Sequence, residues 1–467
     1  MSQKGRYGRL VNNTAIIAAG QIGSKVLVYL LVRLYTEVMS SPEYSMASNI
    51  TETSTLLIPL ISLGIGEAVF RFAMDKNYSK KDVFTSGFVT FLLGSLLFIG
   101  IVPILVAIPY FDGVEWLIIV YVIASILHSI CSQFIRARSQ FKLYAVQGLI
   151  NTSLTIFFNI IFLIPLKMSY IGYVLSVAVA DTLTMLFIFI GCKLWTCFDL
   201  KAVRLGTIKS MLRYSIPIIP TTIFWWVTNV SDRFMVTYFK GDAVNGLYSA
   251  AYKIPTLLMV LSGIFVNAWR NSAVDERESS DYRMFFGRIF DLFSDIIFLI
   301  ASGIITFTVL ITKLMFAKDY FDAWIYIPVL TFAMVFFNFV SFTGTVYVVE
   351  KKTVWSSLTS FAGALLNVIL NLILIPVFSA TGAAIATAAS FVLVFALRII
   401  TTRKMINYPV NFTKLYVNTA LLTIQALIIS FPVPGKYIIA GLLLIMAMII
   451  NAPPLIRAGV QIVKHKK

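Results

Sequence analysis

Between Ser215 and Tyr238 the sequence reads Ser-Ile-Pro-Ile-Ile-Pro-Thr-Thr-Ile-Phe-Trp-Trp-Val-Thr-Asn-Val-Ser-Asp-Arg-Phe-Met-Val-Thr-Tyr. A run of this length and apolarity can cross a bilayer, for which about 20 residues suffice. Yet Pro217 and Pro220 stand near its start, and Asp232 and Arg233 sit side by side near its end. Charges at such depth are costly and usually face a bundle interior or a wet cavity. Helix breakers there need other groups to satisfy the freed carbonyls. Runs of similar length recur from end to end. The chain is 59% hydrophobic and 13% charged, against about 25% charged in an ordinary soluble domain. The expected fold class is therefore an all-α polytopic membrane protein.

The apolar pattern predicts fourteen spans, over 11–35, 45–70, 83–108, 114–135, 143–166, 169–191, 214–238, 245–269, 286–311, 323–349, 353–377, 380–401, 413–431 and 436–456. A cleavable leader is not expected, because the run behind Lys4, Arg6 and Arg9 is already a full span. Of the 38 Lys and Arg, 29 fall on one set of alternating segments and 5 on the other, with Lys25, Arg33, Arg233 and Lys253 inside spans. The positive-inside rule then predicts that both termini are cytoplasmic, and it explains the net charge of +17 without any nucleic acid. Cys131, Cys192 and Cys197 have no metal-site spacing and are expected to be free thiols.

The chain repeats itself. Arg33 is followed by Phe70-Arg71 as Arg233 is followed by Trp269-Arg270; Asn159, Pro165 and Gly172 find counterparts in Asn371, Pro376 and Gly382. Two six-helix halves in one orientation imply a parallel repeat about an axis along the membrane normal. The expected organisation is an N-terminal lobe over 1–191, a cytoplasmic linker over 192–213, a C-terminal lobe over 214–404, and two additional helices with a basic tail over 405–467.

Polar positions inside the spans are the candidate functional residues. Gln21, Lys25, Tyr29 and Arg33 recur every four residues and share one helix face. With Arg71, Arg233, Lys253 and Arg270, the basic members of that face form a candidate cationic substrate site. Glu52, Asp181, Asp232, Asp291 and Asp295 are candidate ion-coupling carboxylates. Structural readings stand beside these. Glu67 and Arg71 have helix-end spacing for an ion pair; Arg33 and Arg233 can snorkel to headgroups; Asp291 and Asp295 can be solvated at the interface. His128 has no partner visible in the sequence and is expected to serve packing. Trp225 and Trp226 are expected to contact helices or lipid.

Neither a phosphate loop with a lysine nor a His-Glu-x-x-His or Gly-x-Ser-x-Gly motif occurs, so no built-in ATPase, other enzyme activity or cofactor is expected. A membrane glycan polymerase or ligase would carry a long outer loop, and none is expected here.

The segment Leu57-Ile-Pro59-Leu-Ile-Ser-Leu-Gly-Ile-Gly-Glu67-Ala-Val-Phe-Arg71, preceded by Ser-Pro-Glu-Tyr44, resembles the first helices of the polysaccharide repeat-unit flippases (O-antigen and capsule translocases). Their superfamily also holds multidrug exporters and lipid II flippases. Tyr214 to Pro220, Ser231-Asp-Arg-Phe234 and Gly246 to Pro255 are similar to the same family's seventh and eighth helices. Ser45-Met46 departs from the family's usual Gly after Glu-Tyr. The resemblance implies two lobes around a cationic cavity, with alternating access across the bacterial cytoplasmic membrane. It implies an oligosaccharide on a polyprenyl diphosphate as cargo, H+ or Na+ as a coupling ion, and polysaccharide polymerase and glycosyltransferases as partners. An ion-coupled multidrug exporter of the same fold is the alternative, although cations in the spans would repel a cationic drug.

Overall fold

The computed structural model describes residues 31–106, 109–275, 277 and 281–464. Every regular element among them is helical. The chain divides into two compact units, the first closing at Trp226 and the second opening at Val227.

In the first unit, α1 spans Ser41–Ile61 and α2 spans Ile65–Met74. Ser40 and Glu43 close a capping box at the start of α1 and Pro42 occupies its first turn, the residues that satisfy the orphan N–H groups there. The two helices meet at 51° across a short break inside the predicted second span. Pro59 removes a helical donor ahead of the break, and Leu63 and Gly64 have φ of 51° and 65°. The Leu63 carbonyl freed there accepts from the Ser215 hydroxyl at 2.6 Å. α3 (Lys80–Val106), α4 (Glu115–Ala137), α5 (Phe141–Leu163) and α6 (Ser169–Gly191) follow. The predicted linker holds two 3-10 turns and then α7, Leu205–Ser215. It is fastened to α3: the Thr207 hydroxyl and the Arg204 N–H donate to the buried Asp82 carboxylate at 2.6 and 3.2 Å.

α8, Ile219–Lys240, crosses from the first unit into the second. Pro220 falls in its first turn and Pro217 in the 3-10 turn before it. These prolines therefore start the span rather than interrupt it, since a first-turn residue needs no donor. The second unit continues with α9 (Asp242–Asp275), α10 (Tyr282–Thr306), α11 (Thr308–Met315), α12 (Ile327–Val349), α13 (Thr353–Ile406), α14 (Phe412–Ser430) and α15 (Lys436–Lys464). The backbone of α13 breaks at Ser379, with φ 56° and ψ −145°, so it comprises two spans.

Nine described helices are long and apolar enough to cross a membrane. Counting α13 twice, α1 with α2 once, and adding α8, α9 and the predicted first span agrees with about fourteen.

The repeat has a physical counterpart in the turn of each helical hairpin. Gly172 lies where a Cβ would meet the Phe162 Cβ at 2.9 Å, and a Cβ on Gly382 would run into the Leu374 carbonyl. Phe162 and Leu374 each stand three residues after their repeat's asparagine. Asn159 donates across its hairpin to Ser176 Oγ at 2.6 Å. Asn371 donates to Asn367 Oδ1 at 2.9 Å, and Asn367 donates to Thr387 Oγ1 at 3.4 Å.

Candidate functional site

In the first unit, a polar network joins α4, α5 and α6 within the apolar span region. α4 brings Ser125, His128 and Ser132, α5 brings Gln147 and Asn151, and α6 brings Asp181 and Thr184. Spacings of three or four residues put each set on one helix face. Asp181 Oδ2 accepts from Ser125 Oγ at 2.6 Å, and Oδ1 accepts from Asn151 Nδ2 at 2.8 Å. His128 Nδ1 lies 3.0 Å from Asp181 Oδ1, and its Nε2 lies 2.8 Å from Gln147 Oε1. The expectation that His128 only packs is thus corrected: its partners come from helices distant in sequence.

The second unit builds its node around Asp232 on α8. Tyr248 on α9 donates to Asp232 Oδ2 at 2.6 Å, Thr387 on α13 at 3.2 Å, and the Arg233 N–H donates to Oδ1 at 2.9 Å. The Arg233 guanidinium lies 4.8 Å from the Tyr252 ring centroid, a cation–π contact. Asp232 is fully buried and Arg233 nearly so. The adjacent pair is thus held by different partners, as their divergent directions on a helix require.

The other predicted site residues fall on several helices. Arg33 is half-exposed and pairs with Glu37 at 2.6 Å. Arg71 and Arg270 are exposed, on α2 and α9. Lys253 is half-buried on α9, and Glu52 is half-buried on α1, where its carbonyl accepts from Trp226 Nε1 at 2.9 Å. That contact makes Trp226 a helix-packing group. Asp295 is buried on α10, with one oxygen 2.6 Å from Lys414 Nζ on α14. Asp291, one turn earlier, accepts from the Asn411 N–H. Lys25 lies outside the described residues.

One buried cation escaped the sequence reading. Arg398, near the end of the predicted span 380–401, is 2% exposed inside α13. It donates to Thr359 Oγ1 at 3.2 Å, Val340 O at 2.8 Å, Ser356 Oγ at 3.1 Å and Ser360 Oγ at 3.2 Å. The i, i+3, i+4 hydroxyls of Ser356, Thr359 and Ser360 were the available signal. No group of three or more metal-ligating side chains occurs among the described residues.

Long apolar helices with charged and amide side chains networked among them define a multi-pass membrane protein. The sequence model for the family described as polysaccharide biosynthesis protein matches residues 10–269, more than half of the chain, and the chain belongs to that family. No curated protein matches it in sequence. Among solved structures it is similar to lipid II flippase MurJ in an inward closed conformation, at a TM-score of 0.72 and 14% identity over 96% of this chain and 100% of that one. An inward-facing multidrug resistance MATE family transporter of the MOP superfamily matches at 0.65 and 14% identity, over 83% of this chain and 98% of that one. A MATE transporter of Vibrio cholerae matches at 0.59 and 12% identity, over 85% and 98%. At these identities the likeness establishes the fold.

Proposed function

We propose that this protein flips an oligosaccharide repeat unit, carried on a polyprenyl diphosphate, from the inner to the outer leaflet of a bacterial cytoplasmic membrane. Transport is by alternating access, with both termini in the cytoplasm, and supplies surface polysaccharide such as O-antigen or capsule. The observation that carries this reading is the match to the polysaccharide biosynthesis family across residues 10–269. The chemistry of the side chains supports it. A diphosphate needs cations in a site shielded from water, where pairing is stronger than in bulk. Lys25, Arg33, Arg71, Arg233, Lys253 and Arg270 are the proposed set, with Arg gripping bidentately and Lys acting as a point charge.

Among the candidate coupling carboxylates, Asp181 is favoured. Asp232 is met by two hydroxyls and a backbone N–H and Asp295 is tied to Lys414, whereas Asp181 is in contact with a titratable histidine. Glu52 and Asp291 remain second choices. An ion-coupled multidrug exporter is the competing reading, prompted by the fold shared with MATE transporters. Deleting the gene and analysing membrane lipids separates the two. Accumulation of an inner-leaflet polyprenyl-linked repeat unit is expected. Normal lipids together with drug sensitivity would replace flipping by drug export.

A further inference from the structure

We infer that the His128–Asp181 pair is a proton-binding site whose two protonation states are selected by the orientation of the Gln147 amide. This rests on the ion-coupled transport reading and names the ion and the group that carries it.

The inference follows from donors and acceptors. Gln147 Nε2 donates to Ser132 Oγ at 3.1 Å, which turns its Oε1 toward His128 Nε2 at 2.8 Å. On the other side of the ring, Nδ1 faces Asp181 Oδ1 at 3.0 Å. Both ring nitrogens therefore face oxygen acceptors. A neutral imidazole has one N–H and one lone pair, so it can satisfy only one of them. Imidazolium, with two N–H donors, satisfies both.

The neutral state has its own complete arrangement. If the Gln147 amide turns over, its Nε2 donates to the His128 Nε2 lone pair, and its Oε1 accepts from the Ser132 hydroxyl. His128 Nδ1–H still donates to Asp181. The step is balanced: one proton arrives at Nε2, the amide turns by half a turn, and the Ser132 hydroxyl reverses from donor to acceptor. The pair passes from a net charge of −1 to zero. Asp181 stays ionised throughout, held by Ser125 and Asn151 at 2.6 and 2.8 Å.

The surroundings favour such a device. Asp181 is the charged group that faces His128 from α6, and α5 presents only the neutral Gln147 and Asn151. Tyr121 on α4 has Asp181 in its electrostatic surroundings, together with Tyr173 on α6 and Glu52 on α1. Of the neighbouring helices, α2 carries Glu67 and Arg71, both exposed, and the charged residues of α3 are Lys80, Lys81 and Asp82 in its first turn. The side chains of His128 and Asp181 are 17% and 11% exposed. A change of one charge in the low-dielectric interior of α4, α5 and α6 is a large local perturbation.

The chain has only two histidines, His128 and His465, so nitrogen-labelled histidine NMR on the full-length protein in nanodiscs reads the site directly. The His128→Asn variant assigns the signals, and His465 is the internal control. The expected result is a reversible change at His128 between imidazolium and the neutral Nδ1–H tautomer over the range in which histidines titrate. Gln147→Met should bias that equilibrium, and Asp181→Asn should weaken proton binding by about tenfold or more, through loss of the facing charge. A single neutral tautomer at His128 across the range that titrates His465 would overturn the proposal, as would a titration indifferent to both variants. The NMR result decides the proton site whatever the cargo proves to be, while failure of the wild type to move any lipid-linked saccharide would count against the transport reading alone.

Discussion

The two units each bury an aspartate among polar partners, and the partners differ in kind. Asp181 meets an imidazole, an amide and a hydroxyl, and the pair keeps some exposure. Asp232 meets a phenol, a hydroxyl and a backbone N–H, and is sealed. A phenol, a hydroxyl and a backbone N–H turn their hydrogens toward the Asp232 carboxylate, and none of these partners changes charge near physiological pH. A carboxylate facing a histidine can see its partner's charge change near physiological pH. Similar helices thus carry an anchor in one unit and a titratable pair in the other.

The largest effect should come from breaking the anchor. Asp232→Ala leaves the nearly buried Arg233 beside three unanswered donors, and removal of one member of a buried charge cluster costs about 3–5 kcal/mol. Membrane abundance and thermal stability in detergent should both fall. Asp181→Asn should behave in the opposite way, keeping abundance while glycan export drops. Export can be scored by surface-glycan complementation beside protein level. If Asp232→Ala were harmless and Asp181→Asn unstable, the assignment of anchor and titratable pair would be reversed.

A smaller effect tests the repeat. Adding a Cβ at Gly172 or Gly382 overpacks a hairpin turn, at a cost of about 1–3 kcal/mol. Gly382→Ala should be the more damaging, because its Cβ would press on the Leu374 backbone carbonyl, whereas at Gly172 the nearest atom is the Phe162 side chain. Thermal midpoints of the two variants check the order.

The span pattern was legible because membrane length forces long apolar runs, and the repeat was legible because Asn159 and Asn371 interrupt such runs at matching places. The break at 62–64 was not, since Pro59 signals only a lost donor and the capping hydroxyl of Ser215 comes from far along the chain. His128 was misread for the same reason. A lone histidine on an apolar helix has no local cue, and its meaning lies in Gln147 and Asp181 on other helices. Arg398 sits near the predicted end of its span, where a charge reads as a boundary residue; burial among Ser356, Thr359 and Ser360 is a tertiary fact. The proposed cations can be named residue by residue, but sequence carries no distances between them.

The central claim is that this chain moves an anionic lipid-linked saccharide. Its most direct test uses purified protein in proteoliposomes loaded with a fluorescent polyprenyl-diphosphate oligosaccharide, with the leaflet distribution followed by dithionite quenching. The wild type should equilibrate the lipid between leaflets, and Arg233→Ala should slow this at least about tenfold, the loss of one charge-assisted phosphate contact. No lipid movement by folded wild-type protein, or undiminished flipping by Arg233→Ala together with alanine variants of the other proposed cations, would contradict it.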